Sequence, residues 1–445
     1  MKHQKLLSMI LALVMAAALM AACAAGDGAP AGADSNESAG DEQVTLTYFN
    51  TSAEVNTMFE EMFARYHEIN PNVTIELIPT GIGEGQQEKL QSLYASGNGP
   101  SMMNIDPANV IEYANRLVEL TPENAPWMSF ANDGVIEAGT FDGKTLGVPF
   151  SVQGYGLLYN KRVVDEVYGG EFDPDTINTR DALGALLDKV EETGVAGTML
   201  HGANWSLGGH YLTLSYAVQG SATSDGTGFI DKIVAGEAKI EDSPIFQGYM
   251  DTMDMLVEHN YNKADPLVAD LNADTQAFGE GKSATFFMGD WNWTIMGTLE
   301  NVDQEYGFIP VPWSNNPEDY GNTQVVMVLP KLFCVDASNN TPEQQQAAVD
   351  FCGWALTDPE GQQFFIDAGF CMPFNNIPEE TTYNSQTQAV SGYASESRTI
   401  NLGVFSYISG DAWTQTGNLM LQYVDGVIDR QELADGINAY WQSAR

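Results

Sequence analysis

Positive charge is what this sequence has least of: 18 Lys and Arg stand against 60 Asp and Glu, for a net charge of −42. A field of that sign repels nucleic acid and anionic lipid and disfavours strongly anionic ligands, so a nucleic-acid partner is excluded first. Cysteine is scarce too, with four in 445 residues and no CxxC spacing, which rules out a zinc knuckle. Past Cys23 the remaining three, Cys334, Cys352 and Cys371, are odd in number and cannot make a fully paired disulfide framework. One pair, or three buried free thiols, both remain open. Five scattered histidines leave little for a metal, and neither G-x-S-x-G nor H-E-x-x-H occurs. No internal repeat and no heptad pattern is present, and nothing in the chain calls for a cofactor.

What the chain does have is globular composition, 44% hydrophobic and 10% aromatic, and enough length for two or three domains. Its start reads as an export leader, residues 1–22. Met1–Lys5 is basic, and Leu6–Ala22 is apolar and ends in small residues. The flank that follows is rich in Gly, Ala and Asp and lacks the positive charge that would hold a membrane span. Met20-Ala-Ala-Cys23 is similar to the bacterial lipoprotein box, which makes Cys23 the lipidated first residue of the mature chain. Removing Lys2 and Lys5 with the leader makes the net charge two units more negative. Residues 23–43 are small, polar and unperiodic, a flexible tether from lipid to domain.

From residue 44 the pattern is strand, helix, strand. Val44–Phe49 alternates, Val55, Met58, Phe59, Met62, Phe63 and Tyr66 recur at helical period, and Val73–Ile78 is a second strand. Such a βαβ opening predicts an open, mainly parallel sheet. Gly81-Ile-Gly-Glu-Gly85 lacks the G-x-G-x-x-G spacing of a dinucleotide loop. Met102–Ile105 is a short buried strand; Asp106, at its end, either faces a ligand or caps the helix opened by Pro107. The extended run 146–161, dotted with Gly and Pro, suits a strand that leaves one sheet and enters another. Arg180–Glu192 is an amphipathic helix, Gly202–Gly209 a glycine-bounded loop holding Trp205, and 211–219 a buried helix.

The chain is organised around residues 278–293. The apolar run Ala284–Met288 reads as a buried strand, Gly289-Asp290 breaks it with Asp290 as a helix cap or a ligand group, and Trp291 and Trp293 follow. Aromatics delivered at the carboxyl end of a strand stand where open α/β sheets bind ligands. Residues at i and i+2 do not share a helix face, so at least one of these tryptophans serves something other than that helix's core.

Tyr94-Ala-Ser-Gly-Asn-Gly-Pro100, Asp142-Gly-Lys-Thr-Leu-Gly-Val-Pro149 through Tyr159-Asn-Lys161, Phe278-x-x-Gly-Lys-x-Ala284 through Gly289-Asp-Trp291, and Thr357-Asp-Pro-Glu-Gly361 occur in this order. By these segments the chain, over nearly all of 44–441, resembles the family 1 extracellular solute-binding proteins that feed ABC sugar importers, with the maltodextrin-binding fold. It departs from them at Thr176–Asp181, where members often carry a Pro-x-Thr-Trp start. The resemblance implies an α/β, two-lobed, periplasmic-binding-protein-like fold (type II), each lobe a mainly parallel sheet flanked by helices, with a multi-strand hinge. Crossings near 149–155, near 296–306 and in the 340s would assign 44–149 and 302–345 to lobe 1, and 150–301 and 346–445 to lobe 2. It also implies that Gln153 faces the ligand from the hinge, that Trp205, Trp291 and Trp413 hold stacking positions, and that Asn50 and Glu54 meet ligand hydroxyls. Glu54 has a second reading, a capping box with Thr51; Trp413 has core packing as its second; and Tyr155, also a candidate, has hinge packing as its plainer role.

The chemistry agrees. A pyranose has apolar C–H faces and an equator of hydroxyls, so its receptor needs flat rings plus amide and carboxylate partners. The expectation is a lipid-anchored, monomeric receptor on the extracellular or periplasmic side. It would be a binding protein and no enzyme, passing a neutral oligosaccharide to a permease. Two alternatives use the same residues: a polyamine or other small-solute receptor on this fold, or an exported carbohydrate-active enzyme with two carboxylates about 5–10 Å apart.

Overall fold

The computed structural model describes residues 43–81, 85–407 and 411–443. The leader, Cys23, all of the tether except Gln43, and the centre of the Gly81–Gly85 run lie outside the described residues. Twelve strands form among those described: β1 Val44–Phe49, β2 Val73–Ile78, β3 Met102–Ile105, β4 Thr140–Phe141, β5 Lys144–Thr145, β6 Val148–Pro149, β7 Gln153–Asn160, β8 Thr285–Gly289, β9 Tyr306–Ile309, β10 Val325–Val328, β11 Leu332–Val335 and β12 Thr399–Asn401. β4 and β5 pair as a hairpin. The others make two sheets, one ordered β2-β1-β3-β11-β6 and the other β12-β10-β7-β8 with β9 also on β7.

Each sheet is covered on both faces, and period-two alternation explains how. In the first, Leu46, Tyr48, Met102 and Phe333 point to one core while Phe49, Met103, Leu332 and Cys334 point to the other. In the second, Tyr155, Leu157 and Phe287 go one way, and Leu158, Phe286 and Met288 the other. The helix Asn56–Ile69 lays Phe59, Phe63 and Tyr66 on the first sheet, where they meet Phe333, Phe351 and Phe365 at ring-centroid distances of 5.1 to 6.3 Å. Phe351 arrives on the helix Pro342–Thr357, started by a capping box between Thr341 and Gln344.

This is the two-lobed α/β architecture, with three departures in detail. First, only β1–β2, β1–β3 and β10–β12 run parallel; β7 is antiparallel to β8, β9 and β10. The second sheet is therefore mixed, because its central strand enters from the other lobe. Second, the crossings lie elsewhere. The chain passes from β6 to β7 through 150–152, but β9 and β10 pair with β7, so the return to the first sheet comes at 329–331. Third, Phe351, Phe365, Phe370 and Phe374 pack in the first core, so the last crossing lies between Phe374 and the helix Ser385–Ser395, which packs on β7 and β9. The boundaries 302–345 and 346–445 are corrected accordingly: aromatic packing and strand pairing decide membership, and both are non-local. Cys334, Cys352 and Cys371 are all free, and among the described residues no helix is long and apolar enough to cross a membrane.

Candidate ligand-binding site

The two lobes also touch beyond the crossings themselves. The turn Ala53–Val55 after β1 meets the short helix Trp293–Met296 after β8, and the helix Pro107–Tyr113 after β3 meets the turn Gly403–Ser406. Residues expected to bind ligand gather around this junction, in two groups of different chemistry.

The first group is aromatic. Trp205 opens a wide helix, Trp205–Leu212, with π-type bonding where the sequence suggested a loop. Helix Ala412–Val424 lies directly on it. A Cβ on Gly208 would stand 2.4 Å from the Gly417 Cα, so that position must be bare, and one on Gly209 would press the Trp413 indole at 3.0 Å. That close approach carries Trp413 inward. Trp291 comes from the end of β8, its ring folded back over Gly289, where a Cβ would meet it at 2.0 Å. All three indoles converge on His210, at centroid distances of 5.3 Å for Trp205, 5.0 Å for Trp291 and 6.2 Å for Trp413. Tyr155 completes the surround at 4.7 Å. Burial, and then the nearby Lys331 ammonium, hold the His210 imidazole down at about 3, so it is a neutral ring at any physiological pH. Trp291 alone of the three is packed against the cores of both lobes.

The second group is polar. Lys331, on the crossing from β10 to β11, ion-pairs with Asp106 at 2.9 Å, and both side chains are about one-sixth exposed (17% and 16%). Asp106 makes no side-chain cap bond, so the capping alternative gives way to this pair. Glu54 is partly exposed by area yet enclosed by protein: burial pushes its carboxyl up, and Lys331 opposes the rise. The capping box with Thr51 does not form, since the Thr51 hydroxyl donates to the Asn104 carbonyl at 2.8 Å. Gln153 begins β7 opposite Val328, is 8% exposed, and no other described residue engages its side-chain amide.

Four candidates turn out to be occupied otherwise. Asn50 is fully buried: its amide donates to Ser52 O and Asn56 Oδ1, and its carbonyl accepts from Ser52 N and Asn104 Nδ2. All four of its hydrogen-bonding positions are used, so it shapes the loop that carries Glu54 rather than meeting a ligand. Tyr155 is 1% exposed and donates its hydroxyl to the His210 carbonyl at 3.2 Å, which makes it packing. Trp293 packs between the lobes, over Gly297 of the second and Gly369 of the first. Asp290 is 1% exposed; its Oδ1 accepts from Gly154 N at 3.2 Å, Oδ2 has no partner, and burial drives its carboxyl well above the ordinary range. It fastens β8 to the start of β7.

Residues 61–389 match the family described as bacterial extracellular solute-binding protein. The chain belongs to this family. A curated relative, an uncharacterised ABC transporter extracellular-binding protein of Pyrococcus horikoshii, is 24% identical over 281 residues, and that match spans 61% of this solute-binding protein and 61% of the relative's length. Solved structures give the fold across more of the chain. A chitin oligosaccharide binding protein superposes with TM-score 0.73 at 19% identity, covering 90% of this chain and 99% of its own. RafE in complex with raffinose gives 0.71 at 19%, with the same coverage. A sugar transporter component of Bacillus licheniformis in complex with stachyose gives 0.72 at 15%, covering 90% of this chain and all of its own (100%).

Two residues at the centre of these groups escaped the sequence reading. His210 follows Gly208-Gly209, a pair that marks close approach but not what approaches. Lys331 is a lone cation between two apolar strands in a chain poor in lysine, a signal that was there to be used.

Proposed function

We propose that this solute-binding protein is the receptor of an ABC importer, closing its lobes on a neutral oligosaccharide and passing the closed form to a membrane permease. The observation that carries this is the convergence of Trp205, Trp291 and Trp413, from three separate segments, on one point at the lobe junction. Flat indoles match the C–H faces of a sugar, and Gln153, Glu54 and Asp106 supply partners for hydroxyls. The relatives named above as binding raffinose, stachyose or chitin oligosaccharide support the ligand class. Anchoring through lipidated Cys23, a monomeric state and the absence of catalysis belong to the same reading.

Its test is thermal unfolding of the full-length protein against mono- and oligosaccharides, with spermidine included. A ligand present at a hundredfold excess over Kd stabilises the folded state by about 2.7 kcal/mol. A rise in midpoint confined to one sugar class is expected. A flat sugar panel with a rise for spermidine would overturn the carbohydrate reading, and cleavage of an oligosaccharide on incubation would overturn the receptor reading.

A further inference from the structure

We propose that Lys331 sets the charge class of the ligand: by neutralising Asp106 at the lobe junction, it makes the cleft select uncharged ligands over cations. The inference rests on the cleft being the ligand site. Lys331 stands on the hinge crossing 329–331, its partner Asp106 ends β3 of the first lobe, and it lies close enough to act on Glu54 of the first lobe and His210 of the second. It is thus surrounded by cleft groups from both sides.

The groups that face this ammonium give the charge balance. His210 is neutral, and Asp290, held on Gly154 N at the start of β7, is buried, its carboxyl raised by that burial and its Oδ2 without a partner. Asp106 is matched one to one by Lys331. Glu54 is left, in surroundings that favour its protonated form and with the same ammonium opposing. Without Lys331, Asp106 would lose its partner and Glu54 its nearby ammonium, in a chain with a net charge of −42. Such a cleft would trap any polyamine that reached it. Ion pairs taken partly out of water add little stability, so a hinge strap by itself is a weak reason to place a lysine there.

The experiment follows spermidine and a neutral oligosaccharide panel by thermal shift on the wild type, Lys331→Met, Asp106→Asn and the double variant. Methionine keeps the apolar stem and removes the charge. The wild type should ignore spermidine, Lys331→Met should bind it at least about tenfold more tightly, and the double variant should lose most of that gain. Asp106→Asn, with Lys331 unmatched, should gain about tenfold for a uronate-containing oligosaccharide; this arm decides the matter if Lys331→Met does not fold. A folded Lys331→Met that is less stable but shows no spermidine response makes the pair a strap and overturns the inference, as does a wild type that binds spermidine as well as the variant. A wild type flat on every neutral sugar, with spermidine binding that follows the charge of the variants, would remove the carbohydrate reading and leave this inference standing.

Discussion

The second lobe brings rings to the junction, and the first lobe with the hinge brings charge. Trp205, Trp291, Trp413 and His210 all stand on elements of the second lobe, locked by glycines that admit no side chain between helix Ala412–Val424 and the wide helix Trp205–Leu212. Glu54 and Asp106 stand at the ends of β1 and β3, with Lys331 beside them on the crossing. The contrast teaches how such a cleft divides its work. A stacking platform depends on shape and must be rigid before the ligand arrives. Hydrogen-bonding groups gain strength only when water is excluded, so they do best on the half that closes over the platform. On the proposed reading, neither lobe holds a complete site.

The sharpest way to break the contrast is Trp291→Ala. This ring packs against the cores of both lobes, so the variant should lose the ligand-induced rise in midpoint, and removing a part-buried indole should lower stability by about 3 kcal/mol. An unchanged sugar response would show that the platform lies elsewhere. Asn50→Ala comes next. Its amide closes four hydrogen bonds inside the first lobe, and its loss leaves Asn104 and Asn56 short of partners, at a cost of about 2 kcal/mol read from urea unfolding. Ligand affinity should change little once the stability loss is allowed for. A large affinity loss in a fully folded Asn50→Ala would put Asn50 back among the ligand groups.

Legibility followed the range of the interactions. Strands β1, β2 and β3 and the helix between β1 and β2 were readable because alternation and helical period are local, and the departure of 146–161 from one sheet to the other was visible in its glycines and prolines. The crossings at 329–331 and after Phe374 were not. They depend on β9 and β10 finding β7, and on Phe351 finding Phe63 and Phe365 finding Phe59, partners some 150 to 300 residues away. In the proposed site, the tryptophans are candidates by residue type alone, whereas the saturation of Asn50 and the pairing of Asp106 with Lys331 came from partners that only the fold brings near.

The smallest effect concerns Asp290, the carboxyl that belongs to neither chemistry and holds the hinge strand. Burial raises its folded-state value above its unfolded one, so the folded protein binds more protons there than the unfolded chain does. Its contribution is therefore most favourable in acid and declines as pH rises from the unfolded value, near 4, toward the folded one. Asp290→Asn keeps an oxygen for Gly154 N and removes the titration. Relative to this variant, the wild type should lose about 1.4 kcal/mol for each pH unit climbed within that window. Urea unfolding of both proteins at pH 4, 5 and 6 measures it directly. If the two curves stay parallel across that range, Asp290 is ionised in the folded state, and the strap at the hinge is an anion whose unpartnered oxygen has found another source of compensation.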